Sequence, residues 1–222
     1  DVYKRQIKHW HIDREIVFLN HGSFGAVPAY VLEQQDVFRK QLHEDPIRYF
    51  VRTIEPIWWK NKALLASFLG THSSNITLIK NATQGVNTIL NNITLTAQDA
   101  VLITNHIYGA CANNLKVLSA KHGFEIIMAE VPFPIQNEDQ VVEAILNKVT
   151  KKVKVLLVDH VTSATGLVFP VEKIIQAIKG TGIQIIVDGA HAPGMLDLNL
   201  DKIDADYYTG NCHKWLFTPN GC

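Results

Sequence analysis

Gln184-Ile185-Ile186-Val187-Asp188-Gly189-Ala190-His191 is an apolar run that ends in an acid at a Gly-Ala turn. Downstream, Gly210-Asn211-Cys212-His213-Lys214-Trp215 sets a lysine among small, polar and aromatic residues. A carboxylate at the carboxyl end of a buried strand, with a lysine beyond it, suits pyridoxal 5'-phosphate (PLP) chemistry. The lysine forms a Schiff base with the aldehyde, and the acid keeps the pyridine nitrogen protonated so that the ring withdraws electrons. An ionised Asp188 after so apolar a run needs a partner, and a pyridinium N–H is one. The competing reading makes Asp188 an N-cap of the next segment. His191 is placed to line the same pocket. Lys214 alone would read as a solvated surface group, but His213, Trp215, Leu216 and Phe217 around it argue against a plain surface position.

Other polar residues follow other apolar runs. Asn81-Ala82-Thr83-Gln84-Gly85-Val86-Asn87 joins a strand to a helix, where backbone N–H groups and the Thr83 hydroxyl would bind a phosphate. Thr83 as a plain N-cap fits that local sequence equally well. Tyr108, before Gly109 and Ala110, suits a stacking platform for a flat ring; in isolation it also fits a core tyrosine. No G-x-x-x-x-G-K-[ST] and no G-x-G-x-x-G after a strand occurs, which argues against P-loop and dinucleotide readings.

The elements that must position these residues follow from periodicity. Six apolar runs bounded by turn residues predict strands from Ile76 to Lys80, Ala100 to Thr104, Phe124 to Glu130, Val153 to Asp159, Ile183 to Asp188 and Ala205 to Gly210. Helical spacing marks Gln84 to Ile93, Ala110 to His122, Glu138 to Lys151 and Val171 to Lys179, and upstream Ala29 to His43 and Thr53 to Leu69. Strands alternating with helices of this length imply an α/β fold, a doubly wound, mostly parallel sheet covered on both faces. In such sheets ligands gather at the carboxyl edge of the strands, which is where these polar residues fall.

Composition narrows the function classes. Lys+Arg and Asp+Glu are both 21, so no global field favours nucleic acid or an anionic membrane. No apolar run reaches membrane-spanning length. Three cysteines, Cys111, Cys212 and Cys222, lack the count and spacing of a disulfide framework and read as reduced thiols of a cytoplasmic protein. Asp1-Val2-Tyr3-Lys4-Arg5-Gln6 resembles a translated sequencing adaptor, so residues 1–6 are expected to be a non-native leader. Residues 7–50 are expected to form an N-terminal arm and helix, and 51–222 a cofactor-binding large domain. That domain is expected to be incomplete after the turn-like Thr218-Pro219-Asn220-Gly221-Cys222, with a C-terminal small domain absent and the piece inactive alone.

Taken together, six segments resemble the class V aminotransferase family of fold-type I PLP enzymes, in its isopenicillin N epimerase-like branch, with cysteine desulfurases more distant. They are Phe18-Leu19-Asn20-His21-Gly22-Ser23-Phe24-Gly25-Ala26-Val27-Pro28, the Asn81 to Asn87 segment, Tyr108-Gly109-Ala110, Asp159-His160-Val161-Thr162-Ser163-Ala164-Thr165-Gly166, Asp188-Gly189-Ala190-His191 and Gly210 to Trp215. The resemblance covers nearly all of residues 16–222. It implies Lys214 as the Schiff-base lysine, Asp188 on the pyridine nitrogen and Tyr108 stacked on the ring. It implies Ala82 and Thr83 on the phosphate, joined by Asn211 and His213, with Ser163 and His191 near the ring hydroxyl. Asn20 and His21 would border the substrate pocket. The substrate would be an amino acid or small amine, and the working unit a homodimer. Tyr108 and His191 stand where cysteine desulfurases usually carry His and Gln, which points away from desulfuration. Transamination, epimerisation and elimination or desulfuration stay open.

Two other classes compete. A metal-dependent hydrolase could use Asp159, His160, Asp188, His191 and His213 as ligands, although no H-E-x-x-H motif is present. A cofactor-free α/β binding module would need none of these residues for chemistry.

Overall fold

The computed structural model describes residues 5–221. Residues 1–4 of the expected leader, and Cys222, lie outside the described residues. Five strands, β1 (Ala100–Thr104), β2 (Glu125–Ala129), β3 (Val153–Asp159), β4 (Gln184–Gly189) and β5 (Tyr207–Gly210), form one sheet in the order β2-β1-β3-β4-β5. Every pairing is parallel. A parallel neighbour requires a crossover, and here helices supply most of them. The helices α1 (Ala29–Glu44), α2 (Ile54–Phe68) and α3 (Ala82–Asn92) precede β1, and α4 (Gly109–His122), α5 (Asp139–Leu146), α6 (Val171–Ile178) and the short α7 (Leu200–Ile203) lie in the crossovers. A helical turn over Pro46–Arg48 and a π-helical stretch over Tyr49–Thr53 join α1 to α2.

Strand alternation sends side chains to two separate cores. Leu102, Leu156, Val158, Ile185 and Val187 pack with Val141 and Ile145 of α5 and with Ile174, Ile175 and Ile178 of α6. Val101, Ile103, Val155, Leu157 and Ile186 pack on the other face with Val86 and Leu90 of α3 and Leu115 and Leu118 of α4. Both faces are therefore covered, which is why these strands are continuous apolar runs. The chain builds outward in one direction through β1 and β2, then in the other through β3, β4 and β5. The reversal falls between β1 and β3, and at their carboxyl ends it opens a crevice.

One expected strand is absent. Residues 76–80 are irregular, and no described residue forms ladder hydrogen bonds with them. They lie beside β5 across a cavity of about 140 Å³ lined by Ile76, Leu78, Ile79, Tyr208 and Thr209. An apolar run becomes a strand only when a neighbouring backbone meets its N–H and C=O groups. Expected helix 138–151 is also shorter, ending at Leu146 and followed by turns. Among the described residues no helix is long and apolar enough to cross a membrane.

Candidate active site

The site is assembled from strand ends. Asp159 closes β3 and pairs in register with Asp188 of β4, so two carboxylates stand side by side at the carboxyl edge. Asp188 is 4% exposed and Asp159 3%. Asp188 Oδ1 accepts from the Ala190 N–H at 3.0 Å, and the Cys111 thiol donates to its Oδ2 at 3.6 Å. Asp188 thus caps a local turn, as its competing reading held, and also faces the crevice. Asp159 Oδ2 has no partner although it is buried. Burial, followed by the charge of Asp188, pushes the Asp159 carboxyl well above the ordinary range. Burial likewise raises Asp188, against the Ala190 N–H, the Cys111 thiol and Lys214, which favour its charged form.

At the start of α3, Asn81 is the N-cap: its Oδ1 accepts from the Gln84 N–H at 2.8 Å. Thr83 is therefore not the cap. The Ala82 N–H donates to Asn211 Oδ1 at 2.8 Å, a buried bond that ties the chain after β5 to this helix. Because Asn211 occupies it, the Ala82 N–H is not open for an anion in this structure. The Thr83 N–H makes no hydrogen bond among the described residues, and Thr83 lines the cavity at the positive end of the helix dipole.

After β1, Tyr108 occupies the N-cap position of α4 and is 42% exposed, so it is no core tyrosine. Ser163 reaches the cavity from the loop after β3. Lys214 Nζ lies 3.2 Å from His191 Nε2, and the Trp215 indole N–H donates to His191 Nδ1 at 3.4 Å. Burial lowers the Lys214 ammonium below its ordinary value, while the Asp188 charge opposes the shift. Burial, then the charge of Lys214, brings His191 down to about 4.

A cavity of about 330 Å³ brings Thr83, Tyr108, Ser163, Asp188, His191, Asn211, His213 and Lys214 together. Its other walls are Asn81, Asp159, Ala190 and the arm residues Gly22, Ser23 and Phe24. Asn20 and His21 do not line it. Asn20 Oδ1 accepts from the Gly22 and Ser23 N–H groups. His21 packs among Phe18, Trp215 and Phe217, its ring 4.9 to 5.8 Å from theirs. The turn that Asn20 organises presents Gly22, Ser23 and Phe24 to the cavity instead. The arm is pinned by the Gly25 N–H, which donates to the His213 carbonyl at 3.1 Å. A Cβ at Gly25 would collide with the carbonyl oxygens of His213 and Lys214.

The sequence did not single out Gly22, Ser23 and Phe24, or the contact between Trp215 and His191. The Gly-Ser pair after Asn20 was the available signal for the first; nothing local signals the second. The metal-hydrolase reading fails on geometry. Among the described residues no three His, Cys, Asp or Glu side chains come together to hold a metal ion. His160 instead turns Nδ1 to the Tyr208 hydroxyl at 2.7 Å.

The sequence profile of the family described as aminotransferase class V matches residues 26–222. The chain belongs to the aminotransferase class V family. It is 30% identical over 210 residues to the isopenicillin N epimerase of Streptomyces clavuligerus, covering 95% of this chain and 53% of that protein. It is 27% identical over 224 residues to the hercynylcysteine sulfoxide lyase of Schizosaccharomyces pombe, covering all of this chain and 57% of the relative. The chain thus spans about half the length of the curated relatives it matches. Among solved structures, C-DES with glycine covalently linked to its PLP cofactor superposes with a TM-score of 0.88 at 21% identity, covering 97% of this chain and 57% of C-DES. At that identity the match establishes the fold, the large domain of the class V family.

Proposed function

We infer that this chain is the cofactor-binding half of a PLP-dependent enzyme acting on an amino acid or small amine. The observation that carries the reading is the convergence of Thr83, Tyr108, Asp188 and Lys214 from separate parts of the chain on one cavity. The residues suit the group. Thr83 offers an uncommitted N–H at a helix start for a phosphate. Asp188 offers a buried carboxylate to a ring N–H, and Asp159 Oδ2 has an unmet hydrogen-bonding capacity beside it. Tyr108 offers an exposed ring, and Lys214 an amine whose surroundings favour its free form. Ser163, His191, Asn211 and His213 complete the walls.

When bound, PLP supplies an electron sink for a carbanion at the substrate α-carbon. Lys214 Nζ would hold the cofactor and would also be placed to accept and return the substrate α-proton. Asp188 would hold the proton on the ring nitrogen, and Gly22, Ser23 and Phe24 would shield one side of the cavity from water. The site is compatible with transamination, epimerisation and elimination or desulfuration alike. A cytoplasmic homodimer fits this reading, supported by the reduced Cys111 thiol and by the apolar side chains exposed near the α1–α2 junction. The experiment is a visible absorption spectrum of the purified protein that carries this chain. The reading expects a band that borohydride removes and a chelator does not. A featureless spectrum after PLP addition would refute it.

A further inference from the structure

The hydrogen bonds around His191 have a direction that distance alone does not give. An indole N–H only donates, so Trp215 makes His191 Nδ1 the acceptor. A neutral imidazole with a lone pair on Nδ1 carries its proton on Nε2. Burial, which brings His191 down to about 4, keeps the ring neutral at physiological pH. The atom facing Nε2–H is Lys214 Nζ at 3.2 Å. Nζ can accept that proton only through a lone pair, which the ammonium form lacks. The ring sits in space that the absence of a side chain at Gly22 leaves open, since a Cβ there would come within 3.0 Å of its Cε1 and 3.2 Å of its Nδ1.

We propose that Trp215 is a positioning residue that holds His191 in its Nε2–H form, and that His191 thereby keeps Lys214 as a free amine. This rests on the reading of Lys214 as the reactive amine. The other ionisable groups facing this pair are Asp188 and Asp159 at the strand ends, His213 on the lysine's own loop and Tyr108 after β1. The His21 ring also lies against Trp215, 5.8 Å away. Asp188 favours the ammonium, so the His191 bond and burial act against it. Removing only the indole N–H frees His191 to move its proton to Nδ1. Nε2 then becomes an acceptor that stabilises the ammonium, and the pKa of Lys214 rises.

The test uses the protein that carries this chain, free of cofactor, with Trp215→Phe as the variant. Nitrogen NMR of the histidine rings, with His191 assigned by its loss in His191→Asn, reports the tautomer directly. Nε2–H in the wild type is expected, with a shift toward Nδ1–H in the variant. Competitive labelling with acetic anhydride reports the free-amine fraction of Lys214 against pH. Each unit of upward pKa shift lowers labelling about tenfold below the pKa, and the two proteins should converge at high pH. A loss of labelling at every pH would mark a merely structural role and overturn the proposal. An Nδ1–H tautomer in the wild type would overturn it independently of any variant. If the tautomer and labelling behave as expected but PLP never attaches to Lys214, the positioning stands and the cofactor reading falls.

Discussion

On the proposed reading, Asp188 and Lys214 divide the chemistry between a proton held in place and an amine held free. Lys214→Ala removes the amine and should abolish turnover, as measured by steady-state assay, with the fold intact by circular dichroism. Asp188→Asn keeps an oxygen to accept the Ala190 N–H at the same turn. The fold should therefore survive while turnover falls by at least about a hundredfold, the scale of losing one charge-stabilising group. Cofactor binding, measured by equilibrium dialysis, should persist. For Lys214 the sign of the pH dependence follows from burial. A lysine whose pKa lies below the ordinary value of about 10.4 is deprotonated at lower pH than a surface lysine. Its labelling midpoint should accordingly lie below that ordinary value, and a midpoint at or above it would contradict the burial argument. Residue types at strand ends were legible because acids and lysines after apolar runs need a reason to be there. Side-chain direction was not. Asn20 spends its oxygen on the Gly22 and Ser23 N–H groups, and Ala82 gives its N–H to Asn211, partners remote or unmarked in sequence.

At the scale of elements, the start of α3 depends on two side-chain oxygens, Asn81 on Gln84 and Asn211 on Ala82. Asn81→Ala should cost about 1 kcal/mol through the lost cap. It should also weaken phosphate binding at Thr83, read as a lower melting temperature and a higher Kd for inorganic phosphate. Gly25→Ala should be worse for the site than for the core. The new Cβ strikes carbonyls of the lysine loop, and backbone cannot give way as a flexible side chain can. Near-native unfolding of the core with a displaced arm, seen as faster proteolysis of residues 7–28, is the expected result. The five strands were legible because each apolar run sits between turn residues and carries neighbours of helical period. Residues 76–80 share that pattern and still form no strand, because local apolarity says nothing about which backbone will pair with it.

Across the whole molecule, a parallel sheet covered on both faces leaves its carboxyl edge as the place where polar groups can meet a ligand. The N-terminal arm closes one side of that edge through Gly25 and an aromatic group of Phe18, His21, Trp215 and Phe217. Phe50, Val51 and Trp59 remain 61%, 68% and 49% exposed near the α1–α2 junction. Apolar surface of that kind favours association. The protein should therefore run as a dimer in light scattering, and Val51→Glu should shift it toward monomer; a monomeric wild type would count against the homodimer. The central claim is that Lys214 holds PLP in the cavity at the carboxyl edge. Its most direct measurement is borohydride reduction of the PLP-treated protein that carries this chain, followed by peptide mass mapping. A single stoichiometric pyridoxyl mass on Lys214 is the predicted result, and the same label on other lysines with Lys214 unmodified would contradict it.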